Sequence, residues 1–229
     1  MPPEPKRSNP SAAPRTALLA GATGLIGREL LSLLHLDPNY RHVQVLLRRS
    51  VPGLAADARV TCHTIDFAKL PEPLPAVDDV FIALGTTIKV AGSEAAFRQV
   101  DFDAVVNTAR AARAAGATRL AVVSALGADV NSRVFYNRVK GEMQAAIVQL
   151  GYASVVIAQP SLLVGDRAAL GQPTRAGEVW ITKLLNPVMR LVPRGVRPIE
   201  ASAVASALIK ATLSGKPGLT ILSSGDMQR

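Results

Sequence analysis

The stretch RVFYNRVKGEMQ, residues 133–144, sets Tyr136 and Lys140 four residues apart. On a helix this spacing puts both side chains on one face, where a phenol and an ammonium can share a proton-transfer task. Spacing alone has little weight. With three tyrosines and seven lysines in 229 residues, it arises by chance in about one chain in ten. The surroundings decide. Ser124 stands near the end of the apolar run RLAVVSA, residues 119–125. A serine hydroxyl can hydrogen-bond a carbonyl oxygen, a tyrosine can supply its proton, and a lysine's charge favours the phenolate left behind. Ser124, Tyr136 and Lys140 therefore read as a carbonyl-reduction device, given a nicotinamide beside them whose ribose Lys140 can hold.

A seat for such a cofactor is legible upstream. GATGLIG follows the run TALLA, with Gly21, Gly24 and Gly27 spaced GxxGxxG and Thr23, Leu25 and Ile26 between them. A strand, a glycine turn and a helix start let backbone N–H groups and the helix dipole approach a pyrophosphate. The next apolar run ends in Arg48 and Arg49, about 20 residues on, where an NAD site would carry an acid for the ribose hydroxyls. Two guanidinium groups there suit a 2′-phosphate, so NADP(H) is expected over NAD. The plainer reading is two solvated arginines at a strand end. Asp66 and Phe67 follow the third strand, where they can flank adenine, and Leu84, Gly85, Thr86 and Thr87 follow the fourth. Ordinary turn chemistry would also account for both.

To position these residues the chain must alternate strands and helices. Short β-branched runs at 16–20, 42–47, 60–65, 79–84, 119–125, 153–159 and 219–224 predict about seven strands. Helical patterns lie at 25–35, 94–115, 134–150, 176–191 and 201–214, with Ser93 as an N-cap and Gly116, Gly151 and Gly215 as stops. The Gly/Pro-containing segment 50–59 predicts a crossover whose helix is reduced or absent. Such alternation predicts an α/β fold, a Rossmann-type doubly wound parallel sheet of about seven strands in one domain spanning 15–229. Residues 165–200 are expected to form a short C-terminal lid region for the substrate. Within it, Arg167, Trp180 and Arg194 are read as two solvated arginines and a packing tryptophan.

Composition narrows the classes. At 48% hydrophobic, 229 residues bury a full core. MPPEPKRSNPSAAP, residues 1–14, has almost nothing to bury and reads as a disordered tail. Neither a signal-peptide pattern nor a run of about 18 apolar residues is found, so a cytoplasmic protein without membrane association is expected. The net charge of +9 is scattered rather than striped, and 4% aromatic residues are too few for base-stacking platforms, so nucleic acid is not an expected partner. Cys62 has no partner for an internal disulfide and sits in a stretch that reads as a buried strand, hence inert. His35, His42 and His63 show no ligand spacing, and no metal site is expected.

Together, GATGLIG, the Ser124 strand, YNRVK at 136–140 as a YxxxK motif and QPSLLVGDR at 159–167 resemble the short-chain dehydrogenase/reductase superfamily over residues 16–224. GTTIKVAGSEAAFRQVDFD (85–103) and VKGEMQ (139–144) resemble its atypical NAD(P)-binding group, which includes the Tat-interacting-protein-like oxidoreductases. The resemblance implies that the backbone of Pro160 and Ser161 passes the nicotinamide. It also allows a homodimer. One departure stands out: many members carry an asparagine in the helix after the fourth strand, which organises a relay water near the lysine. Here the best match is Asp101, which can equally be a helix-surface acid and is left outside the catalytic set, while Asn107 lies farther along.

The leading expectation is an NADP(H)-dependent oxidoreductase acting on a small-molecule carbonyl or quinone. A catalytically weak redox sensor or protein-interaction regulator is the alternative, because fold does not fix function. An epimerase stands third, since 165–200 is too short for an ample sugar-nucleotide domain.

Overall fold

Leu18 and Ala20 point to one face of the sheet and Ala17 and Leu19 to the other, and all four are fully buried. A strand covered on both faces reads as an unbroken apolar run, which explains why β1 (Arg15–Ala20) shows no polar alternation. The computed structural model describes residues 13–54, 57–164 and 196–228. Most of the expected tail and lid, including the pattern at 176–191 and Arg167, Trp180 and Arg194, lies outside the described residues.

From β1 the chain runs through α1 (Leu25–Leu36), β2 (Tyr40–Leu47), β3 (Val60–Thr64) and β4 (Asp79–Ile82). Then come a one-turn α2 (Ile88–Ala91), α3 (Glu94–Arg98), a π-helical turn (Gln99–Ala104) and α4 (Val105–Ala114). β5 (Arg119–Val123), α5 (Phe135–Val148), β6 (Ser154–Gln159), α6 (Ala201–Ser214) and β9 (Gly218–Ser223) complete the main layers. Two short strands, β7 (Leu163–Val164) and β8 (Ile199–Glu200), pair apart from the sheet.

The seven long strands form one parallel sheet ordered β3-β2-β1-β4-β5-β6-β9. This is the expected doubly wound, Rossmann-type α/β fold in a single domain. α1 and α6 cover one face and α4 and α5 the other. The connection from β2 to β3 has no helix among the described residues, as the Gly/Pro content of 50–59 predicts. Ser93 caps α3, its hydroxyl accepting from Ala96 N at 3.1 Å, and Gly215 closes α6 in the left-handed region. Cys62 is half-buried on β3, and burial pushes its thiol up, so it stays protonated and weakly nucleophilic near neutrality. The one-turn α2, the β7–β8 pair and the π turn carry no periodic apolar signal long enough to predict them.

At the amino edge of the sheet, the fully buried Asp79 of β4 accepts from Arg15 Nε and Nη2, each at 2.6 Å, and from Tyr40 Oη at 2.9 Å. Three donors thus tie β1, β2 and β4 to one carboxylate. Burial, followed by the Asp79 charge, pushes the Tyr40 hydroxyl far above its ordinary range, so it remains a donor. Removing one member of such a group strands the others. Asp79→Ala should cost about 3 kcal/mol of stability, read by urea denaturation, and lower Tm by about 10 °C.

Candidate functional site

Strand order reverses between β1 and β4, and the crevice beyond the carboxyl ends of those strands is where ligands bind in open α/β sheets. Gly21 enters it directly from β1 with φ +93°, and a Cβ there would meet Ala83 O at 2.5 Å. At Gly27, inside the first turn of α1, a Cβ would lie 1.9 Å from Gly21 O. Both positions exclude side chains, so the turn can fold flat between two strands.

The first bond of α1 runs from Arg28 N to Gly24 O, which leaves the N–H groups of Leu25, Ile26 and Gly27 without a helical acceptor. Gly24 offers no side-chain cap, and no acid stands in the first turn. The turn therefore fits a pyrophosphate: free donors, a positive dipole end and no competing carboxylate. Thr23 is exposed beside it, while the Ile26 side chain is buried in the core, so Ile26 can meet a ligand only through its backbone.

Arg48 and Arg49 emerge, exposed, just past β2 and beside β1, with no ion pair among the described residues. Asp66 is exposed and turns its carboxylate onto Ala68 N at 2.9 Å, while Phe67 packs against the core cluster on the α4–α5 face. After β4, Leu84 packs on the same cluster and Thr87 caps α2 by accepting from Val90 N at 3.1 Å. Thr86 N donates to Asp101 Oδ2 at 2.8 Å.

That contact corrects the reading of Asp101 as a surface acid. Asp101 lies in the π turn, is fully buried, and sets Oδ1 2.7 Å from Lys140 Nζ. The two groups form a buried ion pair. Helical spacing sets Asp101 four residues after the buried Phe97 and four before the buried Val105, so the apolar face of this segment carries it inward.

Ser124 follows β5 and is buried. Its hydroxyl oxygen accepts from Gln144 Nε2 at 2.5 Å, and Gln144 Oε1 accepts from Gln159 Nε2 at 3.2 Å. Tyr136 and Lys140 lie in the first two turns of α5; Lys140 is buried and Tyr136 half-buried, its ring 5.3 Å from that of Phe97. No direct hydrogen bond joins Ser124, Tyr136 and Lys140 to one another among the described residues. Pro160 is buried and its carbonyl accepts from Leu126 N at 3.0 Å. The Ser161 hydroxyl donates to Arg197 O and contacts Ser224 Oγ at 2.9 Å, tying β6 to the segment after 195.

One polar partner, Gln144, escaped sequence reasoning, whereas Asp101 matches a family position near the lysine. Gln144 continues the four-residue stripe of Tyr136 and Lys140, and that repeat could have found it. Among the described residues no cluster of three or more His, Cys, Asp or Glu side chains could hold a metal ion. No helix among them is long and apolar enough to cross a membrane.

The glycine turn yields a contrast. Gly27→Ala should weaken dinucleotide binding at least about tenfold in a fluorescence titration, because the new methyl collides with the turn's backbone. Gly24→Ala, whose Cβ would lie an ordinary 3.5 Å from Gly21 O, should leave Tm within about 2 °C of the parent.

Comparison with known proteins bears on this geometry. A model of the NAD(P)H-binding family matches residues 21–162. Protein FMP52, mitochondrial, of Eremothecium gossypii is 36% identical over 152 residues, covering 66% of this chain and 67% of that protein. Its namesake from Emericella nidulans is 30% identical over 207 residues, covering 87% and 88%. In fold, the chain is similar to Helicobacter pylori ADP-L-glycero-D-manno-heptose-6-epimerase, with a TM-score of 0.68 and 18% identity over 92% of this chain and 76% of that one. MoeE5 in complex with UDP-glucose and NAD gives a TM-score of 0.67 at 17% identity, over 90% and 75%. The mitochondrial designation of the FMP52 relatives overturns the cytoplasmic expectation. That expectation rested on missing apolar spans, which bear on membrane crossing and not on compartment. From the glycine turn to the end of β6 the family match is continuous, and the chain belongs to the NAD(P)H-binding family.

Proposed function

We propose that this chain is an NADP(H)-dependent oxidoreductase that reduces a carbonyl or quinone of a small molecule through Ser124, Tyr136 and Lys140. The observation that carries this reading is the state of Ser124. Its oxygen already accepts the Gln144 amide, so its own hydrogen is left to donate to a carbonyl oxygen. Tyr136 stands half-exposed on the neighbouring helix, able to hand its proton to that oxygen. Lys140, one turn on, supplies a buried positive charge that favours the phenolate which remains. A bound reduced nicotinamide dinucleotide supplies the hydride.

Two further observations support the substrate and cofactor classes. The loop from β5 to α5 exposes Leu126, Val130 and Val134, an apolar rim suited to an uncharged carbonyl compound. Arg48 and Arg49 suit a 2′-phosphate because neither is engaged by a carboxylate among the described residues.

A second reading, a cofactor-binding redox sensor or protein-interaction regulator with little turnover, draws support from the lysine. Its charge faces Asp101, and no direct hydrogen bond connects it to Tyr136. A panel of aldehydes, ketones and quinones separates the two readings: NADPH oxidation supports the reductase, whereas binding without oxidation of any member supports the sensor.

Tyr136→Phe should lower turnover by about 10²–10⁴-fold, the worth of a positioned general acid, while NADPH affinity by equilibrium titration stays within about threefold of the parent. Replacing Arg48 and Arg49 together by Ala should weaken NADPH by about tenfold and leave NADH unchanged. Equal losses for the two cofactors would remove the case for NADP(H).

A further inference from the structure

Ser124 keeps little freedom except in its hydroxyl. Its backbone N–H donates to Ala158 O at 2.8 Å and that of Leu126 donates to Pro160 O at 3.0 Å, so the pairing of β5 with β6 continues past the serine. The residue is only 5% exposed, which keeps bulk water from settling the hydroxyl's direction. A hydroxyl carries one hydrogen and two lone pairs and rotates to suit its neighbours. Which of these faces the crevice is set by whatever stands behind the oxygen.

Behind it stands a chain of amides that runs in one sense. Gln159, the last residue of β6, donates from Nε2 to Gln144 Oε1 at 3.2 Å, and Gln144 donates from its own Nε2 to Ser124 Oγ at 2.5 Å. No acceptor holds the Ser124 hydrogen among the described residues. Gln144 reaches the serine because helical side chains lean toward the helix N-terminus, and α5 begins on the loop that leaves β5 at the carboxyl edge of the sheet. Residue type matters as much as place. An amide has a donor and an acceptor, so holding its oxygen aims its nitrogen, whereas a carboxylate could only accept. A brace between β5, α5 and β6 would serve equally well with the chain running either way. Only a serine that must donate depends on the sense.

We propose that Gln144 is a positioning residue that makes Ser124 a hydrogen-bond donor toward the crevice, and that Gln159 sets the sense of the chain by holding the Gln144 oxygen. This rests on the reductase reading, in which Ser124 meets a carbonyl oxygen that accepts and cannot donate. Neither glutamine touches the reacting atoms. Reversing the chain would present that oxygen with a lone pair in place of a hydrogen.

The test uses the full chain and an active member of the carbonyl panel. Gln144→Glu replaces the donor by a carboxylate that takes the serine hydrogen. Near pH 8 its kcat/KM should fall about 10–100-fold, approaching the scale of a donor lost from a developing oxyanion, while NADPH affinity stays within about twofold of the parent. Toward the ordinary glutamate pKa of about 4 the new carboxyl protonates and can donate again, so by about pH 5 the variant should regain at least about fivefold relative to the parent. Gln144→Met does not titrate in this range and should lose less than about tenfold, by one factor at every pH. Gln159→Glu draws Gln144 Nε2 to itself and turns Oε1 to the serine. It should lower kcat/KM about as much as Gln144→Glu in the parent, and by less than about twofold in the Gln144→Met background.

Parental kcat/KM in Gln144→Glu near pH 8, a deficit that does not change with pH, or a Gln159→Glu effect that persists in the Gln144→Met background would overturn the proposal. If Gln144→Glu does not fold, the Gln159→Glu cycle decides alone. A parent that reduces nothing sinks the reductase reading, and an NMR titration then decides the part played by Gln144. In Gln144→Glu the new carboxyl should have a pKa about 1 lower with Ser124 present than with Ser124→Ala added, because it accepts the serine hydrogen; equal values overturn the proposal.

Discussion

Between the ends of β1 and β4 there is no room for a side chain. Gly21 turns the chain out of β1 so close to Ala83 O that a methyl would overlap it, and Gly27 then brings the first turn of α1 down onto the Gly21 carbonyl. These contacts are backbone on backbone and cannot be relieved by choosing another rotamer. They decide where α1 begins, which way its unbonded N–H groups face and how near a ligand can come to the sheet. Everything else at the site is arranged around this point, because β4 and β5 lie next in the sheet and bring their own following loops to the same edge.

Two buried carboxylates near the ends of β4 have opposite characters. Asp79, at its amino end, is fully provided for: Arg15 and Tyr40 reach it with three well-made hydrogen bonds, and it joins three neighbouring strands. Asp101 faces the other end of the strand. It holds one backbone N–H and pairs with a buried lysine. A fully satisfied polar group rigidifies its surroundings.

The polar chain of Gln159, Gln144 and Ser124 continues along the same face of α5. Gln144 uses both its acceptor and its donor, and the chain ends on a serine whose hydrogen is still available. The helix α5 therefore presents Tyr136, Lys140 and Gln144 along one stripe, with the lysine deepest and the tyrosine and glutamine half-buried.

The alternation of apolar runs with longer amphipathic patterns was enough to predict seven strands and their class, because a parallel strand buried on both faces must be apolar throughout. The observed bounds of β1, β5 and α6 differ from that reading by two residues at most. The glycine turn and the Ser, Tyr and Lys types were legible too, since backbone proximity and proton chemistry restrict which residues can serve. Spacing along the chain, which sets Asp101 four residues from both Phe97 and Val105, did not reveal which charge it would meet inside. Nor did it reveal that Gln144 holds Ser124, a pairing between elements 20 residues apart. The sequence determined the fold and the kinds of groups at the site, as both follow from local preferences and burial. The tertiary structure decided which charges meet, because the pairing of Asp101 with Lys140 depends on how α5 packs against an irregular helix, a relation no single segment encodes.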